Sequence, residues 1–397
     1  MLRRCWPASR PRRRASRAAG LVALACLLPA APGPTRAGTL PPPPAPRGAT
    51  DDGVAAGPLD PAGDGRHLRA LFLDLLGRTP LAEEIELARG ASSGSLVRFL
   101  VGSEDFWRHV YESQLVHLLL IGNQRPGGGS DGPVLVERLH AGEIGLVEAL
   151  HAIVAGPTFA RANPGNDTFV SVVLEQMLGR TVQDEPALLA AGKRMYDGAE
   201  VSMLGARGDS QADLVTIVMA QDAMLEHLVA REYRRIVGTE PPDRVVREGA
   251  ARLRADPLAH PDLVRGWVLG PEYAARLSRL RRKTDDQFLR GLWVDVARRR
   301  PTVEELQRQR DALEALGDAT PLRAVLARVL IDEHAAGLPA RGEVPPDELI
   351  PALFERFLGR APGPSEHETF RIVYSQEPCQ PRTLARALVT HWEYQFY

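Results

Sequence analysis

The chain has 397 residues, of which 44% are apolar, 25% charged and 6% aromatic, with 49 basic against 50 acidic side chains. Such a composition can bury a sizeable core. It argues against a base-stacking platform and against general nucleic-acid binding, which needs a basic surface to neutralise phosphates.

Residues 1–37 read as a secretory signal. "MLRRCWPASRPRRRASRAAG" carries arginines and no acid, "LVALACLLPAA" is apolar, and "TRAG" places small residues before a cut after Ala37. The apolar run is too short for a membrane span, and no later segment reaches about 18 uninterrupted apolar residues. Once the signal is removed, no integral membrane segment is expected. Lipoprotein anchoring through Cys26 is an alternative, and the arginine cluster hints at twin-arginine export. Export places the protein in the periplasm, at the cell surface or outside the cell. The leader takes eight arginines with it, leaving 41 basic against 50 acidic residues. Cys379 is then the single remaining cysteine, so neither an internal disulfide nor a thiolate metal cluster can form. Residues 38–65 are rich in proline and glycine and read as an extended, disordered tether.

From His67 onward the apolar spacing is helical and no run alternates convincingly with period two. Two landmarks recur in strict alternation. The first is a helix-like segment ending at Gly77, Gly122, Gly179, Gly238, Arg298 (in a glycine's place) or Gly359, with starts 45, 57, 59, 60 and 61 residues apart. The second is an apolar helix reaching Phe106, Phe159, Met224, Tyr273, His334 or Tyr394. In the last three copies the two landmarks are 35, 36 and 35 residues apart.

Glycine in the left-handed region stops a helix, and proline starts the next, so "LGRTP" reads as a corner. Thr302/Glu305 and Ser365/Glu368 have capping-box spacing, and Asp184 and Asp243 are single-residue caps. Glu104, Glu272, Glu333 and Glu393 are expected near helix N-termini, with the adjacent aromatic plugging the core. The fold expected is all-α, a tandem array of about six degenerate helical-hairpin repeats, divided as 66–165, 166–283 and 284–397. Each unit must stack on its neighbours to bury its apolar face.

The pairing of "LGRxP" with a later "SxEF/Y" resembles an uncharacterised helical repeat family of exported bacterial proteins. "LVRFLVGSEDFWRHVYES" and "FLGRAP" are similar to the helical domain of phycobilisome linker polypeptides. "LFLDLLGRTPLAEEI" resembles a domain of planctomycete-type exported proteins that travel with cytochrome modules. The likeness implies a helical fold over most of residues 67–397. It carries over no haem chemistry, since Cys-x-x-Cys-His is absent from the sequence.

Chemical motifs have plainer readings. "GASSG" around Ser92 matches Gly-x-Ser-x-Gly but lies between two predicted helices, where a nucleophile elbow needs a strand. "GGGSDG" (residues 127–132) lacks the βαβ context of a dinucleotide site. His109 and His117 share a helix face and His140 and His151 form a loose pair, but neither pair has zinc-site spacing. "NPGND" and "TDD" (Thr284 to Asp286) read as turns and caps rather than calcium loops. Arg78, Arg180 and Arg360 are expected to bond free helix-end carbonyls or carboxylates of a neighbouring repeat. The basic run Arg276 to Lys283 is expected to form a solvated helical face, offering at most weak contact with an anionic surface.

No catalytic, cofactor-binding or metal-ligating residue is assigned, and no cofactor is called for. The expected function is a non-catalytic scaffold for a protein partner. The alternatives are an envelope enzyme with a site between repeats, built from His109, His117 and Ser92, and a redox-accessory subunit.

Overall fold

Helices form where apolar residues recur every three or four positions, and several of them stop where a residue enters the left-handed region. A computed structural model describes residues 65–119, 132–314, 319–376 and 379–397, all within one compact unit, Val54–Tyr397. The expected signal, the tether up to residue 64, the Gly122 landmark and most of the glycine-rich segment 127–132 lie outside the described residues.

The described fold is all-α. It begins with α1 (Gly65–Leu76), α2 (Ala82–Arg89), α3 (Ser93–Val101) and α4 (Glu104–Leu119). Then come α5 (Gly132–His140), α6 (Leu146–Val154), α7 (Pro157–Ala162), α8 (Gly165–Leu178) and α9 (Pro186–Tyr196). A two-strand ribbon, β1 (Val201–Met203) with β2 (Ala206–Gly208), precedes α10 (Gln211–Met219) and α11 (Asp222–Val237). After these come α12 (Asp243–Ala255), α13 (His260–Val268), α14 (Pro271–Leu277) and α15 (Asp285–Ala297). The remainder is α16 (Val303–Glu314), α17 (Thr320–His334), α18 (Pro346–Leu358), α19 (Pro364–Ser375), α20 (Pro381–Thr390) and a 3-10 turn, Trp392–Gln395. The ribbon was not legible because each strand is three residues long, too short to show alternation. Its two loop residues, Leu204 (φ 51°) and Gly205 (φ 84°), are both left-handed, as a type I′ hairpin loop requires.

The corners form as expected. Gly77, Gly179, Gly238 and Gly359 end α1, α8, α11 and α18 with φ between 66° and 78°, and Arg298 ends α15 at 58°. Conformation is only half of the requirement. A Cβ on Gly77 would lie 2.5 Å from His109 Nδ1, and one on Gly179 would lie 2.3 Å from His227 Nδ1. His109 and His227 each stand three residues after the second landmark of their unit, Phe106 and Met224. Arg276, three after Tyr273, takes the same place beside Gly238, but at 3.7 Å.

Five of the six second landmarks are core plugs: Phe106, Phe159, Met224, Tyr273 and Tyr394 are at most 1% exposed. His334 is exposed and lies over Trp293 with ring centroids 5.0 Å apart. Glu104, Glu272 and Glu393 begin helical turns. Glu333 instead falls in the last turn of α17, because that helix runs straight through the position where the others restart. The Thr302/Glu305 box is present. At the second position only half a box forms, Glu366 accepting the Gly363 N–H in place of the expected Ser365/Glu368 pair, since Pro364 already begins α19 and glycine has no side chain to return the bond. Pro242 and Glu185 occupy the cap positions expected for Asp243 and Asp184.

Two apolar clusters make the core, one running from Leu68 to Tyr273 and the other from Phe288 to Tyr394. Helix α1 is buried on nine of its twelve residues, so it is a core helix rather than an amphipathic surface one. Packing is not confined to sequence neighbours. Arg66 pairs with Glu393, Arg69 with Asp295, and Asp74 with Tyr397. Residues 281–283 also exchange backbone hydrogen bonds with 395–397, at 2.8–2.9 Å. The first and last segments therefore meet.

Candidate functional site

At three corners the sequence Gly/Arg-Arg-x-Pro-x-x-x-Glu builds a clamp. Arg78 bonds Glu84 at 2.6 Å, Arg299 bonds Glu305 at 2.7 Å and Arg360 bonds Glu366 at 2.7 Å. Each glutamate also accepts the backbone N–H that opens the next helix, at Leu81, Thr302 and Gly363. Arg78 reaches Asp105 as well, and Arg360 reaches Glu393, both acids from the second landmark of the same unit. Arg180 makes a looser pair with Glu185 at 3.1 Å. The arginines are thus structural, but their partners are mainly their own unit's carboxylates rather than a neighbour's. These bonds hold Glu305 and Glu366 down to about 2, the neighbouring arginine being the main cause.

Two buried aspartates stand three residues before corners, Asp74 before Gly77 and Asp295 before Arg298. Asp74 accepts from Tyr273 Oη and Tyr397 Oη, both at 2.9 Å, from Arg276 at 3.0 Å and from Arg281 at 3.4 Å. Asp295 accepts from Tyr394 Oη at 2.8 Å, from Arg69 at 2.7 and 3.1 Å, and from Thr79 Oγ1 at 3.0 Å. The two sites match: a corner-proximal aspartate in one unit takes the hydroxyl of the core-plugging tyrosine of a later unit. Burial pushes both tyrosine hydroxyls well above their usual range, and the adjacent carboxylate adds to the effect. Both therefore remain donors. Burial also raises the Asp74 carboxyl, against the pull of Arg276 and Arg281.

A third buried acid, Glu232 on α11, is held by Gln114 at 2.6 Å, Arg235 at 2.9 Å and His260 at 3.3 Å. Burial works to raise it, but Arg235 and His260 outweigh burial and leave it well below the usual carboxylate range. With donors from several helices, all three acids join distant segments, and none opens on solvent. Lys283 belongs to the same seam. Its Nζ donates to the Tyr394 carbonyl at 2.6 Å and lies 3.9 Å from that ring's centroid. Burial, then Arg69, bring its pKa down to about 7.

Two open clefts flank the seam. One of about 350 Å³ lies between α4–α5 and α15–α16, lined in part by Glu104, Arg108, Glu112 and Arg290. The other, of about 470 Å³, lies beside the Gly238 corner, lined in part by Glu272, Arg276, Arg279 and Arg281.

No family model, no curated protein and no solved structure matches this chain.

Ser92 and His109, the two described residues of the expected inter-repeat site, serve separate structural roles. Ser92 caps α3 by accepting from the Ser95 backbone N–H at 3.2 Å. His109 packs on Gly77 and is held at about 3 by burial, then by Arg235 and Arg290. His227, its counterpart on Gly179, is held at about 4 by burial, then by Arg231 and Arg234. The His117 side chain lies outside the described residues, His140 is exposed and His151 half-buried. Among the described residues no three His, Cys, Asp or Glu side chains cluster as metal ligands. Thr284 caps α15 with Gln287, as the turn reading required. Asn163 closes α7 and Gly165 opens α8.

The basic run is corrected. Helix α14 stops at Leu277, and Arg276 and Lys283 are buried at 7% and 3% exposure. The run is not a solvated helical face, because Arg276, Arg281 and Lys283 are engaged by the seam. Sequence reading also missed Asp74, Asp295 and Glu232. The first two carried a signal, an acid enclosed by apolar neighbours in "FLDLL" and "WVDVA".

Proposed function

We propose that this protein is a non-catalytic, exported helical scaffold that presents its surface to a protein partner at the cell envelope or outside the cell. The reading is supported by where the chain spends its ionisable groups. Asp74, Asp295 and Glu232 are filled by donors from distant helices, and Arg78, Arg299 and Arg360 are committed to corner clamps. That chemistry makes a rigid frame and leaves the outer helix faces for recognition. On α17, Val325 and Val329 stand one turn apart and are 55% and 42% exposed. Among the described residues, no helix is long and apolar enough to cross a membrane. The six-unit repeat and its kinship to exported helical repeat proteins belong to the same proposal.

The test is affinity capture from an envelope fraction with the processed chain as bait. One stoichiometric partner, lost with Val325→Glu/Val329→Glu while the far-ultraviolet spectrum is unchanged, is the expected result. Hydrolysis of a generic ester panel, abolished by Ser92→Ala, would overturn the proposal. A second reading, an enzyme with its site between units, draws on the 350 Å³ cleft where Glu112 and Arg290 pair at 2.7 Å.

A further inference from the structure

The seam turns one face outward. Arg281 and Tyr397 exchange backbone hydrogen bonds at 2.8 and 2.9 Å, and the Lys283 N–H donates to the Gln395 carbonyl at 2.9 Å. Arg282 and Phe396 therefore stand opposite each other in an antiparallel bridge. Residues opposite in such a pairing share a face, and successive residues along each segment alternate between faces. Arg281, Lys283 and Tyr397 reach inward, to Asp74 and the Tyr394 carbonyl. Arg282 and Phe396 point the other way, and with them Leu280, two residues before Arg282 and 58% exposed. Trp392, 59% exposed, meets Phe396 edge to face, with ring centroids 6.0 Å apart.

The charge of this face is one-sided. Residues 273–284 carry five basic side chains and no acid, although residues 38–397 as a whole hold 41 basic against 50 acidic. Arg279 and Arg282 are exposed and hold no ion pair among the described residues; Arg282 donates to Thr320 Oγ1 at 2.8 Å. The acid beside Trp392, Glu393, is claimed by both Arg66 and Arg360. No wall encloses these side chains, so what they meet must itself be a broad anionic surface. Arginines alone would suit any acidic surface. An indole and a leucine held out in water among arginines suit a bilayer. The apolar groups enter the headgroup region, while the guanidinium groups stay with the lipid phosphates.

We propose that Leu280, Trp392 and Phe396, flanked by Arg279 and Arg282, form a surface that rests on an anionic bilayer. The contact is peripheral and reversible, since it joins few apolar side chains to few charges. It goes beyond the scaffold reading and stands independently of whether α17 carries a protein partner.

The experiment is vesicle co-sedimentation of the processed full chain at low salt, read together with tryptophan fluorescence. The vesicles are phosphatidylcholine alone, phosphatidylcholine with phosphatidylglycerol, and the same mixture with brominated acyl chains; soluble polyglutamate serves as an acidic surface without a bilayer. The expected result is binding only where phosphatidylglycerol is present, weakened by added salt, with a blue-shifted emission that the brominated chains quench. Arg279→Gln and Arg282→Gln should each weaken binding by about fivefold. Trp392→Ser should weaken it too and abolish both the shift and the quenching. Val303→Ser, on an apolar residue 69% exposed elsewhere, should change neither. The substituted side chains are all exposed, so each variant should keep the wild-type far-ultraviolet spectrum. Absence of binding, equal binding to phosphatidylcholine alone, unchanged affinity in both arginine variants, or capture by polyglutamate as tight as by vesicles overturns the proposal.

Discussion

Replacing Gly77 by alanine tests why these corners are glycine, and Gly238 supplies the control. Both residues are left-handed, at φ 68° and 78°, so both variants incur the same conformational cost of about 1 kcal/mol, partly offset by a stiffer unfolded chain. Space separates them. At Gly238 the new Cβ meets Arg276 Cγ at an ordinary 3.7 Å, whereas at Gly77 it falls 2.5 Å from His109 Nδ1 and 3.0 Å from Cε1. Overpacking of this kind costs about 1–3 kcal/mol, because the ring must leave its place. Gly238→Ala should therefore lose about 1 kcal/mol and Gly77→Ala about 2–4 kcal/mol in urea unfolding at neutral pH. In a His109→Ala background the penalty at Gly77 should shrink to that at Gly238. Equal costs in the two single variants, or an undiminished penalty without the imidazole, would refute the idea that the histidine dictates the glycine.

Lys283 gives a pH signature. Its native pKa is about 7 against 10.5 for the unfolded side chain, so between these values the unfolded chain holds a proton that the native state has shed. Stability should rise with pH across that window, by up to several kcal/mol, and Lys283→Met should flatten the rise; identical urea midpoints for the wild type on either side of it would count against the burial argument. His109 and His227 act at the acid end. Native values of about 3 and 4 against 6.5 mean that only the unfolded chain takes up protons as pH falls below 6.5, so melting temperature should drop there before most carboxylates titrate. His109→Gln/His227→Gln should remove that early drop, as followed by calorimetry. Arg298→Gly should stabilise by about 1 kcal/mol, since it removes a Cβ from a left-handed position; a loss of stability would show that the Arg298 side chain does more than end a helix.

Local chemistry made the corners readable. Positive φ, a following proline and a capping glutamate all act within about eight residues, so Gly77, Gly179, Gly238, Arg298 and Gly359 could be found from sequence. The seam was not readable. Asp74 meets Tyr273 across 199 residues and Arg69 meets Asp295 across 226, and periodicity cannot say which buried acid finds which donor. The run from Arg276 to Lys283 shows the same limit. Composition made it a solvated face, while the tertiary fold buries both of its ends, against Asp74 at one and the Tyr394 carbonyl at the other. Ser92 was legible as a linker residue, because a cap needs only the Ser95 amide nearby. That a side chain three residues past Phe106, Met224 and Tyr273 packs on the unit's own glycine could not be read from the spacing. That contact exists only once the helices fold back.

The meeting of the first and last segments constrains biosynthesis. Asp74 leaves the ribosome with α1, but one of its donors, Tyr397, is made 323 residues later. Solenoids can nucleate anywhere and grow piece by piece. Here α1 must wait, its acid incompletely satisfied, until Tyr397 has been made. The seam around Asp74 is therefore completed late, and bulk placed against Tyr397 would crowd the residue that completes it.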